Sequence, residues 1–126
     1  MDTHIALWAT YQSRRLSALA RAALSADGVE AYVSAASFWE IAVKNTIQPG
    51  GLPPVRQAIA DFAKAGFREL AVTGQSMIAL EALPQLHKDP FDRMLACQAS
   101  SEGLVLLTDD EKIGAYDPDR KYIHLV

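Results

Sequence analysis

Leu104-Val105-Leu106-Leu107-Thr108-Asp109-Asp110 is the stretch on which the fold turns. Its apolar residues run without a polar break, as in a strand covered on both faces, and such strands belong to parallel sheets packed between helices. Gly103 stops whatever precedes the run, and a hydroxyl and two acids close it. A buried parallel strand needs crossover helices before and after it in the chain.

Those helices are legible on both sides. Asp89-Pro90 opens one that continues to about Ser101, and a short helix at about Glu111 to Tyr116 leads to a last strand near Tyr122 to Leu125. Further back, Ser13 to Ala26 carries Leu16, Leu19, Ala20, Ala23 and Leu24 at i, i+3, i+4 spacing, an amphipathic helix ended by Asp27-Gly28. Ala31 to Ser34 reads as a short strand running into Ala35 to Ile47, a helix apolar around most of its circumference and therefore largely buried. The loop Pro49-Gly50-Gly51-Leu52-Pro53-Pro54 is too short for a domain linker and leads to an amphipathic helix over Val55 to Ala65. Phe67 to Val72 fits a strand and Gly74 to Leu83 a short helix before Pro84, while Ile5 to Tyr11 is apolar but too short to assign. Strands alternating with helices predict an α/β fold, a parallel sheet with helices on both faces, as one domain over residues 1–126.

Composition agrees. The chain has 126 residues, 50% of them apolar, with 12 Lys+Arg against 15 Asp+Glu and a net charge of −3. That is enough for one core, and it excludes a disordered tail, a collagenous repeat and a coiled coil. Mild acidity also argues against nucleic-acid binding by bulk positive charge. Cys97 is the only cysteine, so neither an intramolecular disulfide nor a multi-cysteine zinc site is available. No apolar run approaches the roughly 18 residues of a membrane span. Met1-Asp2-Thr3-His4 lacks the basic start and apolar run of a signal peptide. The expectation is a cytoplasmic protein with no membrane partner.

Ligand sites of open α/β sheets gather outside the carboxyl ends of the strands. Asp109 and Asp110 follow the apolar run, Glu40 lies on the helix after Ala31–Ser34, Asp2 is near the amino terminus, and Asp92 is in the first turn of the helix before the run. Glu40 sits within Phe38-Trp39-Glu40-Ile41-Ala42-Val43, where a buried carboxylate needs a partner. Lys44, one turn on, is the plain candidate, worth about 0.2–0.5 kcal/mol, and a bound metal is the other. Pro90 suits the first helical position, which makes Asp89 the N-cap and puts Asp92 third in the helix, where capping and the helix dipole alone could account for both acids. One of Asp109 and Asp110 is expected to cap the next helix and leave the other free, although a solvated acidic turn explains them equally.

Other chemistries find little support. His4, His87 and His124 show neither an i, i+4 pair nor an HExxH pattern and read as surface or packing residues. Phosphate-binding glycine loops and a GxSxG elbow are absent, and Cys97 lies mid-helix among apolar neighbours.

Taken in order, Asp2-Thr3-His4, Val33-Ser34-Ala35-Ala36-Ser37-Phe38-Trp39-Glu40-Ile41-Ala42-Val43-Lys44, His87-Lys88-Asp89-Pro90-Phe91-Asp92-Arg93-Met94-Leu95 and Leu107-Thr108-Asp109-Asp110-Glu111 closely resemble the PIN-domain ribonucleases of the VapC toxin family, from Asp2 to about Tyr116. The resemblance implies a PIN-like three-layer sandwich and a metal-dependent RNA endonuclease held inactive by a cognate antitoxin. The family's acidic quartet falls on Asp2, Glu40, Asp92 and Asp110, with Thr108 at a supporting hydroxyl position. Lys44 and Arg93 match basic positions beside the site that could touch phosphate. The implied cofactor is Mg2+ or Mn2+, one or two ions, since hard cations prefer carboxylate oxygens and water. Four crowded acids without metal repel one another and raise at least one pKa.

Family members usually carry several apolar residues before the first acid, forming a central strand. Only Met1 precedes Asp2 here, so the resemblance implies a truncated first strand. A non-catalytic binding module, engaging an antitoxin or itself, is the alternative that follows. A receiver-type phosphoacceptor would need an isolated Asp ending a middle strand, and none is found. Trp8, Phe38 and Trp39 offer more apolar surface than a small sheet must hide, which allows a homodimer, core packing being the simpler reading. Setting the quartet aside leaves 11 of the 15 acids against 12 basic residues, so the net charge says little against an RNA substrate.

Overall fold

A computed structural model describes residues 1–126. The elements run α1 (Thr3–Tyr11), α2 (Ala18–Ser25), β1 (Tyr32–Ser34), α3 (Ala35–Ile47), α4 (Val55–Lys64), β2 (Arg68–Leu70), α5 (Gly74–Ala82), α6 (Pro90–Glu102), β3 (Leu106–Thr108), α7 (Glu111–Gly114) and β4 (Ile123–Leu125). The architecture is the expected α/β one.

Two local expectations are corrected, and one stretch left open is assigned. The unassigned stretch at Ile5 is helical because Asp2 caps it, its Oδ1 accepting the Ile5 N–H at 2.8 Å. The single helix expected over Ser13 to Ala26 is a 3-10 turn at Ser13–Arg15 followed by α2. Leu16 is extended, and the Ser17 Oγ accepts from the Ala20 N–H to start the new helix. The apolar run enters its strand late. Gly103 adopts a left-handed conformation, the Leu104 N–H returns to the Ala99 carbonyl, and Val105 is left 60% exposed.

β1 pairs in parallel with β2 (Tyr32↔Arg68 to Ser34↔Leu70), and β3 pairs in parallel with β4 (Leu106↔Ile123 to Thr108↔Leu125). Successive residues of β3 enter different cores. Leu106 packs with Met94, Leu95, Ile113 and Ile123, whereas Leu107 packs with Ile5, Leu16 and Ala20. Helices therefore cover this pair on both faces, giving three layers. A third cluster joins Val33 to Ala6, Leu7, Phe38, Ile41 and Phe62, with the Phe38 and Phe62 rings stacked at 5.8 Å. Phe62 is almost wholly buried, and burial of such a side chain is worth about 1.5–3 kcal/mol.

The central sheet is thus present as two parallel pairs, with no strand between β1 and β3. Two hydrogen bonds tie that gap at one end: the Met1 ammonium donates to the Tyr32 carbonyl at 3.1 Å, and the Asp2 N–H donates to the Leu107 carbonyl at 2.9 Å. Behind them lies an apolar cavity of about 360 Å3, lined by Ala23, Leu24, Tyr32, Leu95, Leu106 and others. Burial pushes the Met1 amine pKa down, against the opposing charge of Asp2. No helix is long and apolar enough to cross a membrane.

Candidate active site

Met1-Asp2, α3, α6 and the β3–α7 turn bring carboxylates from four distant places in the chain to one cleft of about 460 Å3. Asp2, Glu40, Asp92 and Asp110 all line it, and Asp89, Asp109 and Glu111 deepen its negative charge, while His4, Arg15 and Lys44 supply the basic side. Strand ends and helix starts meet here for a topological reason: β1 runs straight into α3, and β3 runs into α7 two residues on.

Asp2 is 4% exposed and both its oxygens are engaged: Oδ1 with the Ile5 N–H, Oδ2 with the Thr108 hydroxyl. Burial pushes its carboxyl pKa up, although both hydrogen bonds act the other way. Thr108 Oγ1 in turn accepts the Asp110 N–H at 3.1 Å. One buried hydroxyl therefore links the first acid to the fourth.

Glu40 is buried and takes the plain partner that the spacing offers, its Oε2 paired with the Lys44 ammonium. Asp89 caps α6, its Oδ1 accepting the N–H groups of Phe91 (2.8 Å) and Asp92 (3.1 Å), which places Asp92 in the first turn. Burial, then the charges of Asp89 and Glu40, push the Asp92 carboxyl up to about 6, with His87 opposing. Asp110 does two jobs at once. Its Oδ1 caps α7 through the Lys112 N–H at 2.8 Å, and its Oδ2 turns toward His87 at 3.7 Å.

His87 is the residue that sequence reasoning passed over. Its Nε2 lies 2.9 Å from Asp92 Oδ2, and donor atoms of His87, Asp92 and Asp110 all fall within 4.8 Å of one another. The loop before α6 carries it, where neither periodicity nor a metal-ligand spacing marks it. His124 lines the apolar cavity instead. Arg93 does not line the cleft; its guanidinium is bound to the carbonyls of Pro84 (2.8 Å) and Leu83 (3.2 Å) and to the Tyr116 hydroxyl (3.0 Å). It braces the loop. Of the aromatic residues, Phe38 is core, Trp39 is 53% exposed with its ring edge-on to Phe91, and Trp8 carries Arg15 over its ring at 4.8 Å.

The donor set fits a hard divalent cation. It is dominated by carboxylate oxygens, and burial, joined at Asp92 by the charges of Asp89 and Glu40, raises the carboxyls of Asp2 and Asp92. The sequence model of the PIN domain matches residues 1–118. The chain belongs to the PIN domain family. PIN domains are generally nucleases that use divalent metals, and the cleft of this PIN domain is lined by carboxylates. No curated protein and no solved structure matches the chain significantly.

Proposed function

We propose that this PIN domain is a divalent-metal-dependent endoribonuclease of VapC type, the toxin of a toxin–antitoxin pair in the cytoplasm. The observation that carries the reading is the gathering of Asp2, Glu40, Asp92 and Asp110 on one cleft from separate segments. Asp92 and Asp110 are the acids within mutual reach of one ion, and Asp2 and Glu40 line the same cleft. A bound Mg2+ or Mn2+, one ion or two, would supply an activated water and charge stabilisation on the phosphoryl oxygens. The residues prepare for this in distinct ways. Thr108 holds Asp2 oriented, Asp89 and Asp110 fix helix starts at the rim, and Lys44 is half-exposed beside Glu40, where its ammonium can contact a phosphate.

RNA cleavage with added Mn2+, and none with EDTA, is the test. Asp92→Asn should abolish the metal-dependent activity; full activity in that variant refutes the site. Toxicity is a separate readout, since expression of the chain should arrest growth and co-expression of the cognate antitoxin should relieve it. Sedimentation tests whether the chain forms the homodimer that its aromatic residues allow. The interrupted sheet beside Asp2 favours one second reading, a non-catalytic module that binds an antitoxin or itself. Under that reading the protein binds RNA or partner but leaves RNA intact at any Mn2+ concentration.

A further inference from the structure

His87 is held against the cleft acid Asp92 from both ends. Its backbone N–H donates to the Tyr116 hydroxyl at 2.9 Å, and Arg93 holds the same hydroxyl at 3.0 Å while gripping the Leu83 and Pro84 carbonyls. That brace fixes the loop, and the imidazole is only 15% exposed. Each ring nitrogen already has a use. The Lys88 N–H points to Nδ1 at 3.0 Å, so Nδ1 is the acceptor and the ring proton of the neutral form belongs on Nε2. Nε2–H then donates to Asp92 Oδ2 at 2.9 Å and leans toward Asp110 Oδ2 at 3.7 Å.

A metal-ligating imidazole needs the opposite arrangement, with a lone pair toward the ion and its other N–H given to an acceptor. Here the other nitrogen faces a backbone donor. We propose that His87 is a positioning residue: it donates from Nε2 to Asp92 Oδ2, aims the remaining Asp92 oxygen into the cleft, and acts on a bound ion through that carboxylate, not as a ligand. The proposal rests on the metallonuclease reading above. It adds a bonded chain, Arg93–Tyr116–His87–Asp92, that connects the loop before α6 to the ion-binding acids.

Mn2+ titrated into the intact protein, with RNA absent, is the direct test. The free aqueous Mn2+ electron paramagnetic resonance signal reports the affinity, and spin-echo modulation of the bound ion reports directly coordinated nitrogen. His87→Ala should weaken Mn2+ binding about 10–100-fold, the usual effect of removing an outer partner of a ligand. His87→Gln, whose amide can donate from the same place, should recover most of that loss and guards against a folding defect in the alanine variant. The wild-type Mn2+ complex should show no coordinated nitrogen. A strong coordinated-nitrogen coupling, lost in His87→Ala, would overturn the proposal by making His87 a ligand. Wild-type affinity in His87→Ala would overturn it too, while leaving the metallonuclease reading intact. If the wild-type protein binds no Mn2+ at all, both fall together.

Discussion

Replacing Asp92 by Asn should stabilise the metal-free protein at neutral pH. The ordinary carboxyl pKa of 3.8 is pushed to about 6 in the fold by burial and by the charges of Asp89 and Glu40. The folded state therefore holds the Asp92 proton more tightly than the unfolded state does. Stability consequently rises as pH falls through 6, and the ionised carboxylate is a cost above it. A displacement of that size corresponds to about 3 kcal/mol when the group is fully ionised, and solvent screening at the open side of the cleft reduces it. Asn keeps the shape and still accepts from His87 Nε2–H, but it forfeits the favourable position of an anion in the first turn of α6, worth about 0.3–1 kcal/mol. The net expectation for Asp92→Asn at pH 7 in EDTA is about 1–2 kcal/mol of added stability by urea denaturation. At pH 5 wild-type Asp92 is largely protonated, which recovers up to about 1.4 kcal/mol before screening and narrows the gap accordingly. A variant less stable than wild type at pH 7, or a difference that stays constant on acidification, would refute the electrostatic account. Saturating Mn2+ reverses the ranking, because about 2.7 kcal/mol accrues to the wild type at a hundred times its dissociation constant and hardly any to the Asp92→Asn variant.

Thr108→Val removes the hydroxyl that bonds Asp2 and accepts the Asp110 N–H, and at this buried position it should cost about 1–3 kcal/mol by urea unfolding. Unchanged stability would separate Thr108 from the acid framework. Asp117 behaves oppositely to Asp92: burial alone would raise its pKa, but the backbone N–H groups of Lys121, Tyr122 and Ile123 outweigh it and hold the carboxyl below 3.8. Its stabilisation is therefore present above the ordinary carboxyl pKa and lost as pH falls through the depressed one. Asp117→Ala should destabilise at pH 7 and blunt the acid transition followed by circular dichroism. Fusing about five apolar residues in front of Met1 should raise the melting temperature, because a strand entering the 360 Å3 apolar cavity can pair with β1 and β3 at once. No gain in melting temperature would show that the gap cannot be filled from that end.

The elements themselves were largely legible. α3, α4, α5 and α6 fall within a residue or two of their sequence boundaries, since periodicity and caps such as Asp89-Pro90 and Gly103 act locally. The one misplaced helix start and the one unassigned stretch also had local causes. Ser17 starts a helix of its own inside an otherwise continuous apolar period, and Asp2 caps a stretch too short for its period to show. The site residues stood out differently. Asp2, Glu40, Asp92 and Asp110 could be singled out by type and order, yet each had an ordinary explanation, and the structure shows several of those explanations to be physically real. Lys44 does pair Glu40, and Asp89 does cap α6.

Local signals in the chain were enough to establish an α/β protein with a buried strand between helices, and to show which acids stand at strand ends. Charge arithmetic was the weakest guide, since a net −3 cannot say that the acids concentrate in one cleft. Packing in three dimensions was needed to reveal that Asp110 serves a helix cap and the cleft with different oxygens, that Arg93 braces a loop, and that His87 stands against Asp92. The division of the sheet into two pairs around an apolar gap is likewise a property of the folded molecule. The physical reason is range. Helix periodicity and capping are set within one or two turns of chain. The orientation of a side chain in a cleft depends on groups such as Thr108 and Asp2, hydrogen-bonded across 106 residues of sequence.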